Sequence, residues 1–539
     1  MFPLSGSIPL TLTLVITTVL TATAGDWPEW GGSAGRNMIS PASGVDFAID
    51  PGKRLKGEEK IDLDSTKGVR WAAKLGSQTY GTPTIAGGRV FVGTNNESPR
   101  DPANLGDRGV VYCFDETTGE FLWQLAAPKL GAGKVSDWEF LGICSSPTIV
   151  GDRGYVVTNR CEILCFDVKG LSDGNQGMEQ EAAYKAGPGA DPLEVTPHDA
   201  DILWVYDMRS ELGVFPHNIA SSSVLVRGGK VFCTTSNGVD WSHTNIPAPN
   251  APSLVVLDAQ SGRYLGEQDP VVSSRVLHCS WSSPALGQVD GKDLLVFAAG
   301  DGWAYGLGTE AALAKGEDPN DAMAIRILPE RWRFDCNAPE YRVDPETNEP
   351  IRYVDYEGPS ECVGTPVVHG GLVYVCIGQD PEHGEGVGRI SAIDPSGQGD
   401  LSGSQVWEFK GIGRSISTPS IADGMLYISD YSGRVYALDA MTGESFWEFD
   451  TKGHVWGSTL AVDGKVLIAN EEGELYVLSG GKEGGEELAL IEFPAPIYSS
   501  PVIGNGIVYV ATQTHLYAFG KAEAQTPAPT QVESPPAAP

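Results

Sequence analysis

One unit recurs along the chain and leaves few folds open to it. In a clear copy, 418-TPSIADGMLYISDYSGRVYALDAMTGESFW-447, a hydroxyl residue and a proline lead into a short strand. An Asp-Gly turn, the alternating Leu-Tyr-Ile, a second turn and Val-Tyr-Ala-Leu-Asp follow, and Thr-Gly-Glu and a tryptophan complete the unit. Copies begin at Thr82, Ser145, Ser221, Ser282, Thr365, Thr418, Ser458 and Ser500, which makes eight; the third and seventh place Ser223 and Thr459 where the others carry proline. Alternation puts every second side chain on one face, as half-buried strands require. The pairs Gly87-Gly88, Gly228-Gly229, Asp423-Gly424, Asp463-Gly464 and Asn505-Gly506 are hairpin-turn chemistry, because tight primed turns need positive φ. A repeat of roughly 40 residues with four short strands is the signature of a propeller blade.

The ends of the array predict how it closes. Residues 69-VRWAAKL resemble the last strand of a blade, as in 405-QVWEFK, yet precede the first copy, while the last copy stops after three strands at 515-HLYAFG. Pairing the spare strand with the incomplete blade removes both exposed edges. The expectation is all-β: an eight-bladed propeller over 69–520, closed by its N- and C-terminal strands. Trp123, Trp407 and Trp447 are expected to pack between blades. Around the ring lie a leader over 1–24, an irregular extension over 25–68 and a Pro/Ala-rich tail over 521–539, with longer insertions at 171–200, 308–328 and 337–360.

The leader reads as a cleavable secretory signal: an apolar run from Ile8, then Ala22-Thr23-Ala24 before Gly25, without Lys or Arg ahead of it. This predicts a periplasmic or extracellular protein, and no later stretch is apolar and long enough to span a bilayer. With 70 acidic against 37 basic residues the net charge is −33, which argues against nucleic acid and anionic membranes as partners. Nine cysteines form no Cys-x-x-Cys-His haem motif and no zinc pair. Cys336 and Cys362 bracket an insertion with little apolar content, and a disulfide is expected between them.

In a four-stranded blade, the loop entering the inner strand and the loop joining strands two and three share one face. On that face Tyr80, Cys144, Trp281, Trp456 and Tyr498 stand three residues ahead of the proline or its equivalent, and should form an aromatic ring around the channel mouth. His217 and His278 share a second register in adjacent blades. Tyr80, His217, His278, Trp281 and Trp456 are therefore the candidate ligand-binding residues. The loop Gln379–Glu385 gathers Asp380, Glu382, His383 and Glu385. Oxygen-rich loops suit Ca²⁺, so these residues, with Asp301 and Glu162 from other blades, are the candidate calcium ligands, although the same residue types serve ordinary turns.

The repeat resembles the PQQ-type propeller repeat shared by quinoprotein dehydrogenases and the outer-membrane assembly factor BamB. Motifs such as 214-VFPHN, 279-CSWSSPALG, 300-GDGWAYG and 378-GQDPEHGEGVG further resemble a group of secreted bacterial PQQ-like propeller proteins. For an active quinoprotein the resemblance implies PQQ held between a tryptophan and two adjacent, disulfide-bonded cysteines, Ca²⁺ bound by Glu, Asn and Asp, and an aspartate base. This chain has no two adjacent cysteines, and no aspartate matches the base. No catalytic residue is carried over, because activity belongs to the site and not to the fold. The expectation is a secreted or periplasmic, non-catalytic scaffold of the cell envelope that binds an envelope protein or a small molecule. The alternative is a diverged Ca/PQQ-dependent alcohol or sugar dehydrogenase.

Overall fold

The computed structural model describes residues 25–56, 60–269, 271–321, 324–520 and 531–532. The predicted leader, and the tail apart from Gln531–Val532, lie outside them. Eight antiparallel sheets follow one another around a ring. Blade 1 is typical: inner strand Thr84–Ala86, then Arg89–Asn95, Arg108–Asp115 and outer strand Phe121–Pro128. Blade 8 has three strands from the C-terminal end, Val502–Gly504, Ile507–Ala511 and His515–Gly520, and its fourth is Val69–Lys74. His515 pairs with Lys74, Tyr517 with Ala72 and Phe519 with Val69, so the ring is closed by joining its two ends.

The recurring tryptophan and the Thr-Gly or Ser-Gly turn are two halves of one contact between neighbouring blades. The outer-strand indoles of Trp71, Trp123, Trp204, Trp407 and Trp447 each donate Nε1–H to a carbonyl of the following blade, at 2.8–3.2 Å. Trp71, Trp204 and Trp407 lie against Gly119, Gly262 and Gly443, where an added Cβ would come within 2.5–2.6 Å of the ring. These glycines also have φ of 70–74°, so conformation and contact both require them.

Residues 25–40 are mostly irregular in conformation, but they are integral to the ring. They form a strap that crosses the channel and hydrogen-bonds to all eight blades. The Gly25 carbonyl accepts from Asn505 of blade 8, Trp27 pairs with Ile85 of blade 1, and the Pro28 carbonyl accepts from Ile149 of blade 2. Arg36 donates to the carbonyls of Val224 and Pro284 in blades 3 and 4. The Gly35 carbonyl accepts from Val368 of blade 5, and the Asn37 amide donates to and accepts from Ile421 of blade 6. Ile39–Ser40 adds a parallel strand to blade 7. Innermost strands are sheet edges, with backbone donors and acceptors that need partners once buried; the strap supplies them.

Two expectations are corrected. Cys336 and Cys362 are free buried thiols in side-chain contact, not a disulfide. The insertion they bracket is held by other means: Tyr341 is buried, Arg342 pairs with Asp335, and Arg414 donates to the Asp355 carbonyl. In blade 3, Val224 and not Ser223 stands immediately ahead of the inner strand Leu225–Arg227, the position where six blades carry proline. Ser223 instead aligns with the hydroxyl residue that precedes it.

Candidate functional site

Inner strands run from one face of the ring towards the strap, and the space between their starting points is a funnel of about 390 Å³. Its wall is built by register. Tyr80, Cys144, Ser221, Trp281, Val363, Ile416, Trp456 and Tyr498, one from each blade, all line it. Tyr80 and Tyr498 stack at 5.0 Å between ring centroids, with Trp456 at 4.9 Å from Tyr498. Trp281 belongs to blade 4, across the ring from blade 8, and Trp138 of the loop between blades 1 and 2 completes the aromatic lining. Trp30 of the strap also lines the funnel, with its indole donating to Thr365 at 3.0 Å.

Below the aromatic layer lies a ring of hydroxyls. Every blade places a serine or threonine two residues further on: Thr82, Ser146, Ser223, Ser283, Thr365, Thr418, Ser458 and Ser500. At six of the eight junctions the backbone N–H of one donates to the hydroxyl of the next, from Ser146 to Ser223 and Ser223 to Ser283, then from Thr365 through Thr418, Ser458 and Ser500 to Thr82. Among the described residues the charged ones in the lining are Asp380 and Glu382, with no Lys or Arg beside them. Burial raises the Asp380 carboxyl, against stabilising hydrogen bonds from the Glu382 N–H and the Asn218 amide. Burial, then Cys144, Tyr498 and the two carboxylates, pushes the Tyr80 phenol up, so it stays protonated.

Beside the funnel the loops of blades 3, 4 and 5 bring four histidines together. Ring centroids are 4.2 Å apart for His217 and His278, 5.1 Å for His217 and His243, 5.0 Å for His243 and His278, and 5.1 Å for His278 and His383. His217 and His278 are fully buried, and burial depresses both imidazoles, His217 to about 4. His217 donates Nδ1–H to the Val239 carbonyl at 2.7 Å, which leaves its Nε2 as a bare acceptor. His278 Nδ1 lies 3.7 Å from the fully buried Glu361, whose carboxyl burial raises to about 8. The Tyr353 hydroxyl donates to Glu361 at 3.0 Å and lies 3.2 Å from His383 Nδ1.

The predicted pairing of His217 and His278 is present. It holds although His217 stands one residue further from its strand than His278, once Val224 takes the proline position. The calcium set is not assembled. Glu162 is engaged by Arg160, Thr158 and Tyr184, and Asp301 by Arg275 and Tyr305, while Glu382 and Glu385 are exposed. Burial raises Asp301 to about 6. Among the described residues the metal-ligating side chains that converge are His217, His243 and His278, with ligand atoms within 4.8 Å of one another. His383, expected as an oxygen-site companion, packs against this nitrogen cluster. Sequence reasoning passed over His243, Tyr353 and Glu361, which long loops and an insertion deliver out of the blade register.

Residues 432–526 match the family model described as "Outer membrane protein assembly factor BamB". With the eight closed blades, this gives the chain the fold of a PQQ-like β-propeller. Among solved structures it is similar to BamB from Moraxella catarrhalis, at 13% identity and a TM-score of 0.48 over 84% of this chain and 97% of that one. It is also similar to a europium-containing methanol dehydrogenase, at 11% identity and a TM-score of 0.44 over 92% and 98% of the chains. A third is the quinohemoprotein alcohol dehydrogenase ADHIIG from Pseudomonas putida HK5, at 15% identity and a TM-score of 0.42 over 94% and 82%. No curated protein matches the sequence. Among the described residues no helix is long and apolar enough to cross a membrane.

Proposed function

We propose that the protein is a non-catalytic binding propeller of the cell envelope whose funnel takes a small organic molecule with a flat apolar face and no negative charge. The lining carries this reading: aromatic walls, a hydroxyl ring, Asp380 and Glu382, and no basic side chain. Aromatic faces present negative charge and attract apolar or cationic surfaces, and two carboxylates repel an anion. The same lining speaks against the diverged dehydrogenase. PQQ is a polycarboxylate, and this funnel offers it no Lys or Arg, no adjacent cysteine pair and no assembled calcium set. The envelope location rests on the secretory form of the leader.

Calorimetry and thermal melts with choline, a neutral disaccharide and PQQ plus Ca²⁺ test the proposal. Choline or the disaccharide should bind and raise the melting temperature, at a hundredfold excess over Kd by the equivalent of about 2.7 kcal/mol. Trp281→Ala and Trp456→Ala should abolish the rise. Dye reduction with PQQ, Ca²⁺ and an alcohol would establish the dehydrogenase instead.

A further inference from the structure

The histidine cluster lies beside the funnel and has no part in the binding just proposed. We propose that His217, His243 and His278 form a binding site for a divalent transition-metal ion of the zinc class. Three observations converge. The ligand atoms of three imidazoles lie within 4.8 Å of one another, so modest side-chain closure brings them to metal-bonding distance. His217 Nε2 and both ring nitrogens of His278 are buried without a hydrogen-bond partner. Buried polar atoms are nearly always paired, and unpartnered imidazole nitrogens on two rings only 4.2 Å apart call for a Lewis acid between them.

The third observation is the support around the cluster. The Val239 carbonyl fixes His217 as the Nδ1–H tautomer and frees Nε2. Glu361 stands behind His278 Nδ1 and is oriented by Tyr353. Metal-bound histidines are characteristically held by a carbonyl or a carboxylate on the nitrogen away from the ion. Neutral imidazoles select Zn²⁺, Co²⁺, Ni²⁺ or Cu²⁺ over Ca²⁺, which takes oxygen. His243 is half-buried and exposed Trp241 lies with its ring centroid 6.4 Å away, so the cluster borders solvent on this side.

The test uses the full chain, free of any polyhistidine tag and stripped with a chelator. Calorimetry with Zn²⁺ and absorption with Co²⁺ should report one ion per chain, with a visible Co²⁺ spectrum and no competition from millimolar Ca²⁺. His243→Ala changes a half-exposed loop residue, so the fold should survive, as near-ultraviolet circular dichroism will report. It should weaken Zn²⁺ binding by more than the roughly 10–100-fold typical of an outer-shell change, whereas Glu361→Gln should fall within that range. Absence of a one-to-one Zn²⁺ isotherm in the parent, or an isotherm unchanged in His243→Ala, would overturn the site.

Discussion

Arg36 is fully buried, and its guanidinium joins two blades to the strap through Val224, Pro284 and the Trp30 carbonyl while pairing with Glu29 at 3.2 Å. Burial lowers its pKa to about 10, still far above neutrality, so the charge persists inside the ring. Removing one partner of a buried pair costs about 3–5 kcal/mol. Arg36→Met should therefore lower stability by that order in urea titration, and the double variant with Glu29→Gln should recover part of the loss. Gly443 allows a sharper comparison. Both Gly443 and Gly424 have positive φ, but a Cβ on Gly443 meets Trp407 at 2.5 Å while one on Gly424 meets nothing within 4 Å. Gly424→Ala should cost only the left-handed strain of about 1–2 kcal/mol, and Gly443→Ala distinctly more. Equal losses in calorimetric melts would show that the indole yields freely.

Val69–Lys74 closes blade 8, and deleting it should leave His515–Gly520 as an unpaired edge while removing the buried Trp71. Light scattering should then show self-association, and the melting temperature should fall; a monomer with parent-like melting would contradict the closure. The same strand pair carries a pH dependence. His515 is buried opposite Lys74, and burial, then Lys74, depresses its imidazole to about 3. Its folded pKa lies below the unfolded value near 6.5, so the stability it contributes is present above that value and lost as pH falls towards 3. The urea midpoint should drop between pH 7 and pH 5, and His515→Gln should flatten that part of the profile. Blades of this kind are legible in sequence because period-two alternation and Gly turns are local. So is the funnel wall, since Tyr80, Trp281, Trp456 and Tyr498 keep a fixed offset from their strands. The strap is not legible: residues 25–40 meet eight different surfaces and so carry no period. His243 and Tyr353 are hidden for a related reason, because loops without register place residues by tertiary contact alone.

Across the whole molecule, a net charge of −33 sets carboxylates against one another over every blade. Raising ionic strength from about 0.01 to 0.15 M shortens the screening length from about 30 to 8 Å. The melting temperature should climb with NaCl over that range, and a flat response would mean that the ion pairs already balance the field. The strap has a consequence in time. Its residues leave the ribosome before any blade does, yet their hydrogen-bond partners are spread as far along the chain as Asn505. The closing strand likewise waits for His515–Gly520. A chain interrupted after six or seven blades therefore has no native arrangement for its own beginning. Folding must end where synthesis began, and the first residues made wait for the C-terminal strands that complete their partners.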